Sequence, residues 1–449
     1  MTTPGSTATA GAPIDVIGAF ESTYMPAHDR DVTETTQHDR RWRDDLALLG
    51  SCGVTRLRYP IRWHRIEVER GTYDWHATDE VLQHMRDCGL HPIVDLVHHT
   101  SYPPWLGDFA NPQWGPDFMR FAEVFAERYP WIEGYTLFNE PFTTFFLCGS
   151  LGLWAPFLTG DGGFVSLVRN VLPSLTATSR LFREMLPEAR HFYVETCERA
   201  NSTRFDGKRK AAYANDRRFF VTDLFVGRPI DRQAPFAADM VRAGGADLFD
   251  IEPGAVDVLG LDYYAHNQWQ YGGPQKAVNS SPRPIPLAEL IIEYWDRYRL
   301  PCMLGETNIR GYASDRASWL KYTLEQCERA LDAGVPFEGY CWFPFVDSAD
   351  WGSLLARAEG IVDPVGVYWL DERYDRRPSS MSDAYRLVAS GATSSSLPAY
   401  RFRPPVSEWL KGWLPHMDHW EWQDPPVAER CSSPALAGDR IEVRMTDEI

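Results

Sequence analysis

The sequence predicts a single-domain α/β fold, a (β/α)8 barrel, and three observations carry that expectation. Eight short apolar runs rich in β-branched and aromatic residues recur along the chain. Their starts lie roughly 36 to 65 residues apart, which leaves room for a helix and a loop in each interval. Runs such as 92–97 and 256–261 are nearly continuously apolar rather than alternating, as strands covered on both faces are.

In chain order, residues 14–20 form the first expected strand. The Gly18-Ala19-Phe20-Glu21 segment is not the Gly-rich phosphate turn that a doubly wound open sheet, the structural competitor, usually places there. Residues 55–61 form the second strand, and Asp74 is a plausible N-cap for the helix carrying Val81, Leu82 and Met85. The third strand is 91–98. Phe118, Phe121, Ala122, Phe125 and Ala126 then repeat at i, i+3, i+4, i+7 and i+8, the stripe of an amphipathic helix. Strands four to seven fall at 132–138, 191–196, 256–264 and 301–305. A helix bearing Leu320, Leu324, Cys327 and Leu331 leads to the eighth at 337–345. The first 13 residues are expected to be a disordered tail, 14–424 a barrel with a C-terminal packing segment, and 425–449 a loose tail.

Composition narrows the function. With 45 Lys and Arg against 62 Asp and Glu, the net charge of −17 argues against nucleic acid, whose binders cluster basic residues on phosphates. No basic run suits an anionic membrane, no apolar stretch reaches a membrane span, and residues 1–15 lack the features of a secretory signal. Eight cysteines without a CxxC pair argue against a disulfide framework or a zinc–cysteine site and point to the reducing cytoplasm. Aromatics make up 13% of the chain, suited to core packing and to stacking on sugar rings.

In a barrel of this kind, chemistry belongs at the C-terminal ends of the strands. Reading only those positions yields Arg58, His98 and His99, Asn139 and Glu140, Glu195, Asp262, Tyr263 and Tyr264, Glu306, and then Asp347 and Asp350. Glu140 and Glu306, facing each other across the mouth, are the carboxyl pair that glycoside hydrolysis needs: one protonated to aid the leaving oxygen, one ionised to attack. Arg58 is placed to hold Glu306 as a carboxylate. Each has a structural alternative: Arg58 in an ion pair, Glu195 beside a neighbouring arginine. Adjacent strand residues face opposite sides, so His98 and His99 do not easily share a pocket. No metal site is expected, since no HExxH or matching acidic set accompanies the histidines.

Several spaced motifs between Ile14 and Asp371 together resemble family 1 of the glycoside hydrolases, the β-glucosidase family of clan A. They are Leu57-Arg58-Tyr59-Pro60-Ile61-Arg62-Trp63-His64-Arg65-Ile66, Val94-Asp95-Leu96-Val97-His98-His99 with Pro104-Trp105-Leu106, and Thr136-Leu137-Phe138-Asn139-Glu140-Pro141 with the Gly-rich 149–156. Asp257-Val258-Leu259-Gly260-Leu261-Asp262-Tyr263-Tyr264, Pro301-Cys302-Met303-Leu304-Gly305-Glu306-Thr307-Asn308 and the stretch from Gly339 to Trp351 continue the series. The resemblance implies that Glu306 is the nucleophile and Glu140 the acid/base of a retaining mechanism. It makes Arg58, Asn139 and Tyr264 supporting groups, and His98, Asp262, Phe343, Asp350, Trp351 and Glu21 glycone-binding positions. No cofactor is implied.

The departures are informative. Glu21 stands near the place of a usual Gln, Asp262 replaces an Asn, Asp350 a Glu, Phe343 a Trp and Thr307 an Asn, so the glycone is left open. The expected activity is hydrolysis of β-glycosides from the non-reducing end, with a carbohydrate as partner and the oligomeric state undetermined. A transglycosidase or specialised glycosidase, an endo-acting relative, and a non-catalytic carbohydrate-binding protein are the alternatives.

Overall fold

The computed structural model describes residues 14–397, save 203, 272–276, 280, 282–283, 312 and 354, together with 400–403 and 416–420. The expected tails at 1–13 and 425–449 lie outside the described residues, as does most of the expected C-terminal packing segment.

Eight parallel strands close into the predicted barrel: β1 (Val16–Ala19), β2 (Arg56–Pro60), β3 (His91–Asp95), β4 (Gly134–Thr136), β5 (Arg190–Thr196), β6 (Val258–Asp262), β7 (Cys302–Glu306) and β8 (Phe337–Cys341). Each pairs with its neighbours in sequence, and β8 closes on β1 through Val16 opposite Tyr340. Most strands are shorter than expected, because at the mouth the chain leaves the ladder early to build loops. Thus β3 ends at Asp95, and beyond it only an isolated bridge joins His98 to Asn139.

Strand alternation divides the apolar residues into two layers. Ile17, Ala19, Ile93, Phe192, Val194, Val258, Met303, Cys341 and Phe343 point inward and fill the barrel. Their strand neighbours, such as Leu57, Val94, Tyr193, Leu259, Leu304 and Tyr340, point outward beneath the helices. The helix Trp114–Arg128 buries all five residues of its predicted stripe, and Trp63 stacks on its Phe121 with ring centroids 4.9 Å apart. The helix Ala313–Asp332 buries Leu320, Leu324, Cys327 and Leu331.

Asp74 sits one position earlier than expected. Trp75 is the N-cap of helix His76–Asp87, and the Asp74 carboxylate accepts from the His76 N–H at 3.0 Å. Ion pairs Arg56–Asp15 and Arg190–Glu338 tie strands together at the end opposite the mouth. A two-stranded antiparallel pair, Tyr400–Arg403 with His416–Trp420, lies beside helix Ala313–Asp332. Among the described residues, no helix is long and apolar enough to cross a membrane.

Candidate active site

The inner floor of Met303, Cys341 and Phe343 is capped at the strand ends by buried polar groups. Period-2 alternation on β6 sends Asp262 and then Tyr264 inward. Tyr263 points outward instead and stacks on Trp319 at 5.9 Å. On β7 a register shift between Leu304 and Glu306 turns Glu306 towards the same space, where it pairs opposite Asp262. Glu140 holds a left-handed backbone (φ 45°) just before Pro141, so the chain pivots from β4 into the short helix Pro141–Phe145 and leaves the carboxyl at the mouth.

Arg58, 1% exposed, is the hub. Its Nη1 donates to Glu306 Oε1 at 2.8 Å and to the Gly305 carbonyl at 3.0 Å, and its Nη2 donates to Asp95 Oδ2 at 2.9 Å and Asn139 Oδ1 at 2.6 Å. The Tyr264 hydroxyl donates to Glu306 Oε2 at 2.8 Å, so both oxygens of the Glu306 carboxyl are held. Glu140 Oε1 accepts from the Thr196 hydroxyl at 2.8 Å, and Oε2 lies 3.8 Å from His99 Nε2. Oxygens of Glu140, Asp262 and Glu306 lie within 4.8 Å of one another.

Burial, with the Glu306 charge behind it, raises the Glu140 pKa to about 7. Burial also lifts Glu306 above the ordinary carboxyl value; Arg58, His98 and the Tyr264 hydroxyl oppose the rise without cancelling it. The expectation that Arg58 brings Glu306 down is therefore corrected: its pull is real, but desolvation outweighs it. The direct Arg58 and Tyr264 contacts still make Glu306 the more readily ionised of the two. Asp262 is pushed well above the carboxylate range by burial and by both glutamates.

His98 and His99 both reach the site, contrary to the alternation argument. They have left the ladder, and His99 takes a left-handed φ of 52° that swings its ring back beside its neighbour, with centroids 4.8 Å apart. His98 bonds Asp95 at 3.3 Å and stacks on Phe343 at 5.5 Å; its pKa rises despite burial because Asp95, Glu21 and Glu306 surround it. Burial and the nearby His98 and Arg58 charges keep His99 neutral.

Among the described residues, Glu195 pairs with no arginine. It points outward, under the start of Pro141–Phe145, and accepts from the N–H groups of Phe142, Thr143 and Thr196; burial and then Glu140 raise it to about 8. Asp347 likewise serves the loops, accepting from the N–H groups of Val365, Gly366 and Leu370.

The remaining expected positions cluster nearby. Glu21 Oε1 accepts from the Ser22 and Thr23 N–H groups and lies 3.8 Å from His98 Nε2. Asp350 Oδ1 accepts from the Glu359 and Ile361 N–H groups, and Trp351 lies 6.2 Å from Phe343 and 5.5 Å from Tyr264 between ring centroids. Thr307 does not line the site: its hydroxyl donates to the Tyr263 carbonyl and accepts from the Trp319 indole.

Sequence reasoning missed Asp95 and Thr196 as site residues. Both are the last residues of strands and face inward, so the reading that found Arg58 and Asp262 would have found them. The carboxyl trio is close enough to share a cation.

A model of the family described as Glycosyl hydrolase family 1 matches residues 5–285, more than half of the chain. The chain is 22% identical over 413 residues to Beta-glucosidase A of Thermotoga maritima, covering 83% of this chain and 91% of that protein. It is 22% identical over 391 residues to a Beta-galactosidase of Saccharolobus solfataricus, covering 76% of each. The solved structure of the Beta-glucosidase from Thermotoga maritima in complex with glucoimidazole superposes with a TM-score of 0.71 at 18% identity, over 86% of this chain and 100% of that one. A closed eightfold barrel with a carboxyl pair at its mouth and this family match agree, and the chain belongs to glycosyl hydrolase family 1, a glycoside hydrolase.

Proposed function

We propose that Glu306 is the nucleophile and Glu140 the acid/base of this retaining β-glycosidase, which acts on β-glycosides from the non-reducing end by double displacement. The observation that carries the assignment is the approach of the Glu140 and Glu306 oxygens to within 4.8 Å. Retaining pairs stand about 5–5.5 Å apart, whereas inverting pairs leave about 6.5–9.5 Å for a water.

In the first step, Glu306 attacks the anomeric carbon while Glu140 passes its proton to the leaving oxygen. In the second, Glu140 takes a proton from water as the water displaces Glu306. Arg58 and Tyr264 aim the Glu306 carboxylate and favour its ionised form. Thr196 and neutral His99 orient Glu140. His98, Phe343 and Trp351 offer a polar edge and aromatic faces to the glycone.

The test is release of 4-nitrophenol from a panel of β-glycosides by the wild-type protein, Glu140→Gln and Glu306→Gln. Turnover that falls by several orders of magnitude in folded Glu306→Gln supports the assignment. Comparable turnover in both variants and wild type overturns it.

A further inference from the structure

We infer that the glycone carries a basic amino group on the ring carbon next to the anomeric centre, making the substrate a 2-amino-2-deoxy-β-glycoside, and that Asp262 selects it. The inference rests on the assignment of Glu140 and Glu306 above.

Asp262 is fully buried, and neither of its oxygens receives a bond from an N–H group or a hydroxyl of another described residue; what it meets instead is a carboxyl-to-carboxyl contact with Glu140. Its neighbours at the mouth are the other two carboxyls of the trio. The Arg58 guanidinium is already committed to Glu306, Asp95, Asn139 and the Gly305 carbonyl. His98 is committed to Asp95. Glu21 adds a further carboxylate beside His98. Burial and the charges of both glutamates favour the protonated form of Asp262, and a cation entering beside it reverses that balance.

The backbone makes room for this acid. A Cβ on Gly305 would lie 2.5 Å from Asp262 Oδ1, so the strand passes under the carboxyl without a side chain. An entering ammonium group would supply the Asp262 oxygens with three donors and with the positive charge that draws the carboxyl into its ionised form.

Ring geometry assigns the position. Glu306 addresses the anomeric carbon and Glu140 the glycosidic oxygen. A third carboxyl close to both faces the substituent on the adjacent carbon, because the other neighbour of the anomeric carbon is the ring oxygen, which bears none. A free amine there is cationic; a hydroxyl or an acetamido group is not.

The experiment measures kcat/KM at about pH 6, where a ring amine is largely protonated. Substrates are the 4-nitrophenyl β-glycosides of 2-amino-2-deoxyglucose, 2-acetamido-2-deoxyglucose and glucose, with wild type and Asp262→Asn, the latter checked for folding by thermal melting. A parallel arm treats the wild type with a 2,4-dinitrophenyl 2-deoxy-2-fluoro-β-glucoside and looks for a labelled Glu306 peptide by mass spectrometry.

The expected result is preference for the free-amine glycoside over both neutral ones, with the amine-to-hydroxyl ratio falling roughly ten- to hundred-fold in Asp262→Asn. A wild-type ratio at or below unity overturns the inference whether or not the variant folds, and so does a ratio unchanged in the folded variant. Glu306 labelling alongside either result leaves the catalytic assignment standing. Neither labelling nor turnover of any glycoside overturns both.

Discussion

Replacing Tyr264 with Phe removes one oxygen and leaves the ring in place. That oxygen donates to Glu306 Oε2 at 2.8 Å, and both side chains are buried, so water does not readily replace the bond. A hydrogen bond to an ionised group is worth about 1.5–3 kcal/mol, and one pKa unit corresponds to about 1.36 kcal/mol. Loss of the donor should therefore raise Glu306 by roughly one to two units.

The sign follows from the role. Glu306 must be ionised to attack, so a higher pKa moves the acid limb of the kcat/KM profile upward. The alkaline limb belongs to Glu140 at about 7 and should stay. The active window of Tyr264→Phe closes from its acid side. Initial rates on a 4-nitrophenyl β-glycoside, stopped in alkali and followed across pH, give both limbs. An acid limb that does not move, or an alkaline limb that moves in its stead, would refute the assignment of Tyr264 to Glu306.

Other expectations follow from the same geometry. In the wild type, kcat/KM should decline as pH rises through about 7, because Glu140 loses the proton it must donate; the decline should vanish in Glu140→Gln, measured on a glycoside with a dinitrophenolate leaving group that needs no acid. Gly305→Ala forces a Cβ against Asp262 Oδ1 and Val194 Cγ1, and should lower stability by about 1–3 kcal/mol in denaturant titration. Arg58→Met should depress kcat/KM by at least about a hundred-fold, since it strips Glu306 of its buried counter-charge and takes the arginine from Asp95, which keeps His98. Steady-state kinetics on folded protein check it.

The barrel was legible because its strands are apolar on both faces and evenly spaced. The inward set Arg58, Glu140, Asp262, Tyr264 and Glu306 was legible because strand ends define the mouth. What escaped depended on departures from regular strand geometry. His99 joins the site through a left-handed residue beyond the end of β3, and a period-2 argument has no purchase there. Glu195 looked like an ion-pair partner but is occupied by backbone donors of the Pro141–Phe145 turn, a contact between segments some fifty residues apart. The net rise of Glu306 reflects burial, which charge pairing alone does not reveal.

Glu306 ends β7, and Glu140, four residues past β4, is tied to β5 by its N–H bond to the Val194 carbonyl at 3.1 Å, so ladder hydrogen bonds through β5 and β6 connect the two. The reactive spacing is thus inherited with the sheet, while the loops around it are free to be exchanged. On the proposed assignment, sugar preference is open to substitution at Glu21, Asp262, Phe343 or Asp350 without renegotiating the distance on which bond cleavage depends. That separability makes this barrel a natural recipient for loop grafting, in which new saccharides are admitted to an unaltered reaction.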